Sequence, residues 1–553
     1  MLKVYKKYEM PIVVIFAAVS VIISCLPLWH AGIGGYEPDL IFHLLRIDGV
    51  RDALLAGSFP VRLYDNFFGG YDYGSPLFYP DIFLVIPACF RILGLSVEIS
   101  WKLFAVLVCT AVFFSTYFSF RLIIPERHYA MVATLLLTLS QFYLADLQVR
   151  VGLSEYIAYI FLPIWMAGIY DFFKGDGQRI YLIGVGLTGM LLTHTIMTFI
   201  AGIMSVIIFI VGLFVKREAF FDIKRWRSLI ISGIISIGVS VYYLFPMAEQ
   251  MMTAQYRYTI PFQKVGTYYQ RFSYFFNLTG SFNYVAKVGI GIPFLMLIVL
   301  RLLIKRPKEK ACDLFFFGGL LVFLLTTNIF PWALFNETIL NSIQFTYRFY
   351  PYGLCFLSLG VTMLIRELCG QRGIDEKGLI IFTVAATLFF GFYQNYHVLT
   401  ATEFNEGIDE AYLSAHDNSV GSGEWLPVPF DESVENKESK YCVVYDGGNI
   451  DFSDTAYLTG SFAVPDGADA TYTVPRIFYK GYAADIDGQP IPCGKSEQGL
   501  LNVKNDSGKS GTITIRYEGT PIQKVSVIIS LISVIAAVGG SIYKGRRRAH
   551  GKA

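Results

Sequence analysis

Long uncharged apolar runs recur along the chain, separated by short polar segments. They lie near 10–29, 99–120, 130–148, 156–173, 180–195, 197–215, 229–246, 287–304, 313–327, 347–365, 379–397 and 525–543. Several reach the ~20 residues that an apolar helix needs to cross a bilayer, so the pattern predicts a polytopic α-helical membrane protein with about twelve transmembrane helices. The first run follows a basic start, but it is long and no small-residue cleavage site follows it, so it reads as a retained helix. One further apolar segment, 78–96, carries Pro80, Asp81, Pro87 and Arg91 and suits an interfacial or re-entrant helix.

The periodicity changes after residue 398. "KYCVVYDGG", "TAYLTGSFAV", "ATYTVPRIFYKGYAADIDGQPIP" and "GTITIRYEG" alternate β-branched and aromatic residues with polar ones, broken by Gly, Asp and Pro. This predicts a β-rich domain, with Asp487-Gly488 as a hairpin turn. The domain reading is a transmembrane domain over 1–397 with a large first external loop at 30–98, an extracytoplasmic β-rich domain over 398–523, and a final helix with a basic tail over 524–553.

Charge sets the expected topology. Lys and Arg cluster at 1–7, 121–128, 174–179, 216–227, 305–310, 366–377 and 544–552, and basic loops mark the cytoplasmic side. Both termini are therefore expected in the cytoplasm and the chain in the plasma membrane. Only 16% of the 553 residues are charged, against about 25% in soluble domains, and the mean hydropathy is +0.50. Membrane lipids are thus expected partners. No basic stripe with interleaved aromatics suggests nucleic acid. Six of the eight cysteines fall in or beside apolar runs; Cys442 and Cys493 lie in the polar region, and whether they form a disulfide stays open.

The candidate chemistry begins directly after the first apolar run, in "GYEPDLIFHLLRIDGVRDALLAGSFPVR". At 100° per residue, a helix from Pro38 to Gly57 places Asp39, His43 and Arg46 within about 60° of one another. Asp48, Arg51 and Asp52 lie on the opposite side. An interfacial helix has one polar face; this one has two, and one of them must meet protein or a polar cavity. Asp39 either caps the helix and pairs with Arg46 or presents an acid–base face. Glu155, after Ser154, either caps a helix or supplies a second active-site carboxylate. Asp146 and Arg150, spaced i,i+4, suit a simple pair. His194 interrupts a long uncharged stretch, where an ionisable residue is a functional candidate by default.

The segment 34–96 resembles the first external loop of GT-C superfamily glycosyltransferases, above all the bacterial YfhO-like membrane proteins and a related group labelled pterin-synthase-related. "QVRVGLSEYIAYIFLPIW" (148–165) resembles their second external loop, and "IQFTYRFYPYGL" (343–354) their Gln-Phe-x-x-Arg-Phe signature. Residues 475–518 resemble the C-terminal β domain, with Gly481-Tyr482 where the family usually has Gly-Trp. The resemblance implies an enzyme that moves a sugar from a polyprenyl-phosphate donor to an extracytoplasmic glycan, lipid or protein. It implies Asp39 as general base with Glu155 as second catalytic carboxylate. His43, Arg46, Arg150, His194, Arg257, Gln344, Tyr347 and Arg348 are the expected substrate-binding set, since arginine suits phosphate oxygens. A divalent metal stays open: no Asp-x-Asp lies near Asp39 and no Cys/His set has zinc spacing. The rival readings are a transporter or flippase of lipid-linked sugars and an inactive scaffold with a glycan-binding β domain. Charges concentrated at helix ends favour the enzyme over a transporter, whose charges gather at the midplane.

Overall fold

The computed structural model describes residues 9–34, 37–260, 264–277, 287–304, 306–401, 404–416, 423–430, 439–464 and 470–550. The basic segment 1–7 lies outside the described residues. Among the described residues, seven helices are long and apolar enough to cross a membrane: Val97–Ile123, Leu153–Phe173, Thr195–Val215, Ile223–Thr253, Thr346–Arg372, Glu376–Thr400 and Pro521–Gly540. An eighth crossing results if Arg127–Thr138 and Gln141–Arg150, bent by 43°, form one span. The runs expected at 10–29, 180–195, 287–304 and 313–327 form shorter helices, Glu9–Ser24, Tyr181–Leu191, Ile292–Leu303 and Lys310–Leu325. Val206, Ile210 and Phe214 on one long helix, and Ile528, Ile532 and Ile535 on another, are exposed. Large apolar faces of this kind are stable against lipid rather than water.

The chain divides into two compact units. The first comprises residues 1–40, 101–236 and 262–408, and the second 41–100, 237–261 and 409–553. The division does not follow the composition change near 397: residues 41–100 group with the β-rich region, and residues up to 40 with the helical one.

In the first unit the helix Tyr350–Arg372 is the centre, buried along most of its length. It lies flush against Lys310–Leu325. A Cβ on Gly360 would stand 2.6 Å from the Phe316 backbone nitrogen, and one on Gly319 2.9 Å from that of Leu357. Small residues bring helix backbones together in this way inside membranes, where dispersion replaces the hydrophobic effect.

In the second unit two five-stranded antiparallel sheets form a sandwich. One runs Cys493–Lys495, Leu500–Asn505, Ala470–Ile477, Cys442–Tyr445, Gly448–Asp451; the other Ser453–Ala456, Thr459–Val464, Gly511–Tyr517, Tyr482–Ile486, Gln489–Ile491. Alternate residues point inward, so Val443, Phe462, Tyr472, Val474, Leu501, Val503, Ile513 and Ile515 make the core. Asp487 and Gly488, both at positive φ, close the hairpin between Ile486 and Gln489, the backbone that a two-residue turn requires. Cys442 and Cys493 are separate thiols. Their strands are three places apart in one sheet, about 14 Å at ~4.8 Å per step, beyond the ~7 Å Cα limit of a disulfide.

Within the second unit the segment 41–100 is tied to the sandwich by an acid cluster. The buried Arg476 pairs with Asp72 at 2.9 Å and with Asp454, and the Tyr482 hydroxyl donates to Asp72 at 2.9 Å. Beside them Asp65 accepts from the Leu458 backbone N–H at 2.9 Å. Burial, and then the neighbouring Asp72 charge, push the Asp65 carboxyl up from 3.8 to about 7. A raised acid pKa means that the folded state holds the proton more tightly. Its stabilising contribution is therefore complete below about 3.8 and lost as pH rises through about 7. Asp65→Asn is expected to raise the melting temperature at pH 8 and leave it unchanged near pH 4, measured on the purified protein in detergent. Equal shifts at both pH values would show that Asp65 does not titrate in this window.

Candidate active site

Residues 141–159 build the centre of the candidate site. The helix Gln141–Ala145 passes into one π-type turn, Asp146–Arg150, and the chain then reverses through Val151 at φ 58°, ψ 35° before Leu153–Ala158 begins. A β-branched residue in the left-handed region is a strained outlier, and π turns gather at functional sites. The reversal brings Glu155 to the Arg150 guanidinium, which donates to the Glu155 carboxylate. Arg150 also lies 3.4 Å from Asp146 Oδ1, and its Nε 3.7 Å from Asp39 Oδ2. Gly152 leaves room for this: a Cβ there would stand 3.0 Å from Asp146 Oδ1 and 3.2 Å from Arg150 Nη1.

A second strained turn supplies the other cation. Gln344 has φ 62°, ψ −55°, and the Phe345 N–H donates to the Ile343 carbonyl at 2.7 Å. This is the γ-turn of positive φ, rare because of its strain. It places Gln344 Oε1 and the Ile343 carbonyl 2.7 and 2.8 Å from Arg348 Nη1. Arg348 Nε lies 3.8 Å from Glu155 Oε2. The Arg150 guanidinium stacks over Tyr347, 5.2 Å from the ring centroid, and Tyr347 stacks on Phe345. His194 caps the helix Thr195–Val215, its Nδ1 accepting from the Met197 N–H at 3.1 Å.

The cluster is layered. The Asp39 side chain is 39% exposed and that of Arg150 13%, whereas those of Asp146 and Glu155 are 0% and 1%. Two buried carboxylates thus hold Arg150 from within, and Asp39 meets it from the accessible side. Partial burial raises the Asp39 carboxyl above its ordinary value, opposed by the positive charges of Arg150 and Arg348. Among the described residues, Asp146 Oδ2, Glu155 Oε1, Arg348 Nε and the Tyr159 hydroxyl are buried without a hydrogen-bond partner. Orphaned buried polar atoms are costly, and four in one cluster point to a polar ligand that completes them. The carboxylates converge on a guanidinium rather than on one another, and among the described residues no group of three His, Cys, Asp or Glu is arranged to hold a metal ion.

The structure thus brings together Asp39, Arg150, Glu155, His194, Gln344, Tyr347 and Arg348. His43, Arg46 and Arg257 belong to the second unit. Arg46 is fully buried in the second unit, where it pairs with Asp81 and donates to the Pro80 carbonyl at 2.9 Å and stacks over Tyr79. His43 Nδ1 lies 3.2 Å from Arg46. Arg257, also in the second unit, opens a 3₁₀ turn whose N–H donates to the Leu426 carbonyl. Asp146 joins the site although its spacing suggested only a pair with Arg150. The signal for it was that same spacing, read without the π turn.

Comparisons with known proteins give the chain a family. Residues 8–332 match the model of a family of unknown function, DUF6541, and the chain belongs to that family. It is 22% identical over 602 aligned positions to an uncharacterised protein of Lactococcus lactis subsp. cremoris (strain MG1363), covering 96% of this chain and 95% of that one. Among solved structures it is similar to the arabinofuranosyltransferase AftD from Mycobacteria, at 14% identity and a TM-score of 0.45 over 69% of this chain. It is also similar to the Archaeoglobus fulgidus oligosaccharyltransferase, at 13% identity and 0.39 over 72%. The match spans 26% of the first of these chains and 54% of the second.

Proposed function

We propose that the chain is a GT-C-type glycosyltransferase with about twelve crossings, both termini in the cytoplasm and its site at the outer face of a bacterial plasma membrane. It moves a sugar from a polyprenyl-phosphate donor to a hydroxyl of an extracytoplasmic glycan, lipid or protein. The observation that carries the reading is the layered cluster: an accessible carboxylate, Asp39, against a guanidinium anchored from within by Glu155 and Asp146.

A hydroxyl is a poor nucleophile at neutral pH, and a carboxylate within hydrogen-bond reach takes its proton as attack proceeds. In this reading Asp39 is that base. The acceptor oxygen bonds to the anomeric carbon, and the bond from that carbon to the phosphate oxygen breaks with inversion. The electron pair leaves on the lipid phosphate. Arg150 and Arg348 meet the charge that develops there, where fixed cations are worth most. Glu155, shared between the two arginines, positions them, and Tyr347 flattens the Arg150 fork.

The test is the lipid-linked sugar content of cells, measured by mass spectrometry in a deletion strain and in strains restored with the wild type or with Asp39→Asn. One polyprenyl-phosphate sugar is expected to accumulate in the deletion, clear with the wild type and persist with Asp39→Asn. Clearance by Asp39→Asn would remove the base, and no accumulation in the deletion would remove the donor.

A further inference from the structure

The second unit contains another unanswered cation. Val50, Pro60, Arg62, Pro80, Asp81 and Tyr242 line a small cleft that opens to the surroundings. Arg62 is only 9% exposed, and its Nη2 is enclosed without a hydrogen-bond partner among the described residues. Asp81 does not answer it: one carboxylate oxygen is taken by Arg46 and the other accepts from the Tyr64 hydroxyl. The Asp81 charge is thus balanced by Arg46 behind it, and that of Arg62 remains. Tyr242 and Tyr517 are near enough to interact with it electrostatically.

The surroundings of Arg62 are those of a membrane surface. Tyr242 belongs to the helix Ile223–Thr253, and its N–H donates to Ser530 Oγ of the helix Pro521–His550 at 2.9 Å. Both helices carry exposed apolar side chains, Ile234 and Ile237 on one and Ile532 and Ile535 on the other. Phe59, beside Pro60, is exposed, and Ile82 and Val85 complete apolar walls. A guanidinium buried without a partner is unstable by itself, and its planar fork matches two oxygens of a phosphate. The apolar walls match what is attached to a lipid phosphate and to no free ion.

We propose that this cleft is a phosphate-headgroup site, centred on Arg62 and filled by the anionic head of a membrane lipid. It lies in the second unit and does not depend on the transferase reading.

The experiment uses the full chain purified in a maltoside detergent. Its melting temperature and its retained lipid, by native mass spectrometry, are measured with dioleoyl phosphatidic acid, with dioleoylglycerol (the same tails without phosphate), or with inorganic phosphate. The wild type is expected to be stabilised by phosphatidic acid and not by dioleoylglycerol. Arg62→Met is expected to bind phosphatidic acid at least about tenfold more weakly, the scale of a hydrogen bond to a charged group. Without lipid it is expected to melt no earlier than the wild type, because it removes an unpartnered buried charge. Arg62→Lys keeps the charge without the fork and is expected to bind at an intermediate level, which serves as the readout if Arg62→Met does not fold. Equal stabilisation by inorganic phosphate would overturn the lipid assignment. Phosphatidic acid binding unchanged in both Arg62 variants, or abolished by Arg150→Lys instead, would overturn the site.

Discussion

Asp39→Asn is expected to lower turnover by about 10²–10⁴-fold, the span of a lost general base, with little change in KM for the lipid donor. The substitution keeps the shape of the side chain and an oxygen facing Arg150, 3.7 Å away. Only the proton acceptor is removed. Because burial raises the Asp39 carboxyl above 3.8 despite the opposing arginines, the acid limb of the wild-type rate profile is expected above the ordinary carboxylate range, and absent from the residual rate of the variant. Stability moves the other way. A raised pKa makes the ionised form the less favourable one in the folded protein, so its cost appears as pH rises through the folded value. Asp39→Asn is therefore expected to melt at the wild-type temperature in acid and no lower at neutral pH. Turnover assays on purified protein, with melting curves at both pH values, check this. A variant that turns over normally would leave Asp39 only a carboxylate in the first turn of the helix Glu37–Leu55.

Why the partner of Arg46 could not be read from its helix is a matter of range. A helical wheel places Asp39, His43 and Arg46 together from local spacing alone. It has no knowledge of Asp81, 35 residues on, which takes Arg46 into a buried pair. The same limit hid the tie between the segment 41–100 and the sandwich, because Arg476 and Asp72 are about 400 residues apart and nothing periodic links them. Apolar runs were legible because lipid imposes a length and a composition on each crossing, and the sandwich strands because inward and outward residues alternate.

The core of the site was half legible. Glu155, Arg150, Gln344 and Arg348 stand out as charged or polar residues at helix ends. Their convergence depends on two turns that local propensity disfavours, Val151 in the left-handed region and Gln344 in a strained γ-turn. Places where the chain adopts what its residues resist are where sequence rules fail and where function concentrates.

The largest loss of stability is expected from Arg150→Met. The guanidinium lies within 4 Å of three carboxylates, and the side chains of two of them, Asp146 and Glu155, are essentially inaccessible. Methionine fills much of the same volume, so the change is chiefly one of charge. Removing one partner from a buried ionic cluster typically costs about 3–5 kcal/mol, because the remaining charges are neither solvated nor paired. Arg348, at 3.8 Å from Glu155 and engaged with Gln344 and Ile343, reaches only one of the two. The double variant Arg150→Met, Glu155→Gln removes one stranded charge and is expected to recover part of the loss, a coupling that a double-mutant cycle measures directly. Arg150→Lys restores a charge without the fork whose Nη1 meets Glu155 and Asp146 while its Nε faces Asp39, so it is expected to fall between wild type and Arg150→Met in stability and to remain inactive. Melting in detergent across this set checks the ordering. If Arg150→Met melts with the wild type, the buried carboxylates do not depend on Arg150, and the layered cluster that carries the proposed chemistry loses its physical basis.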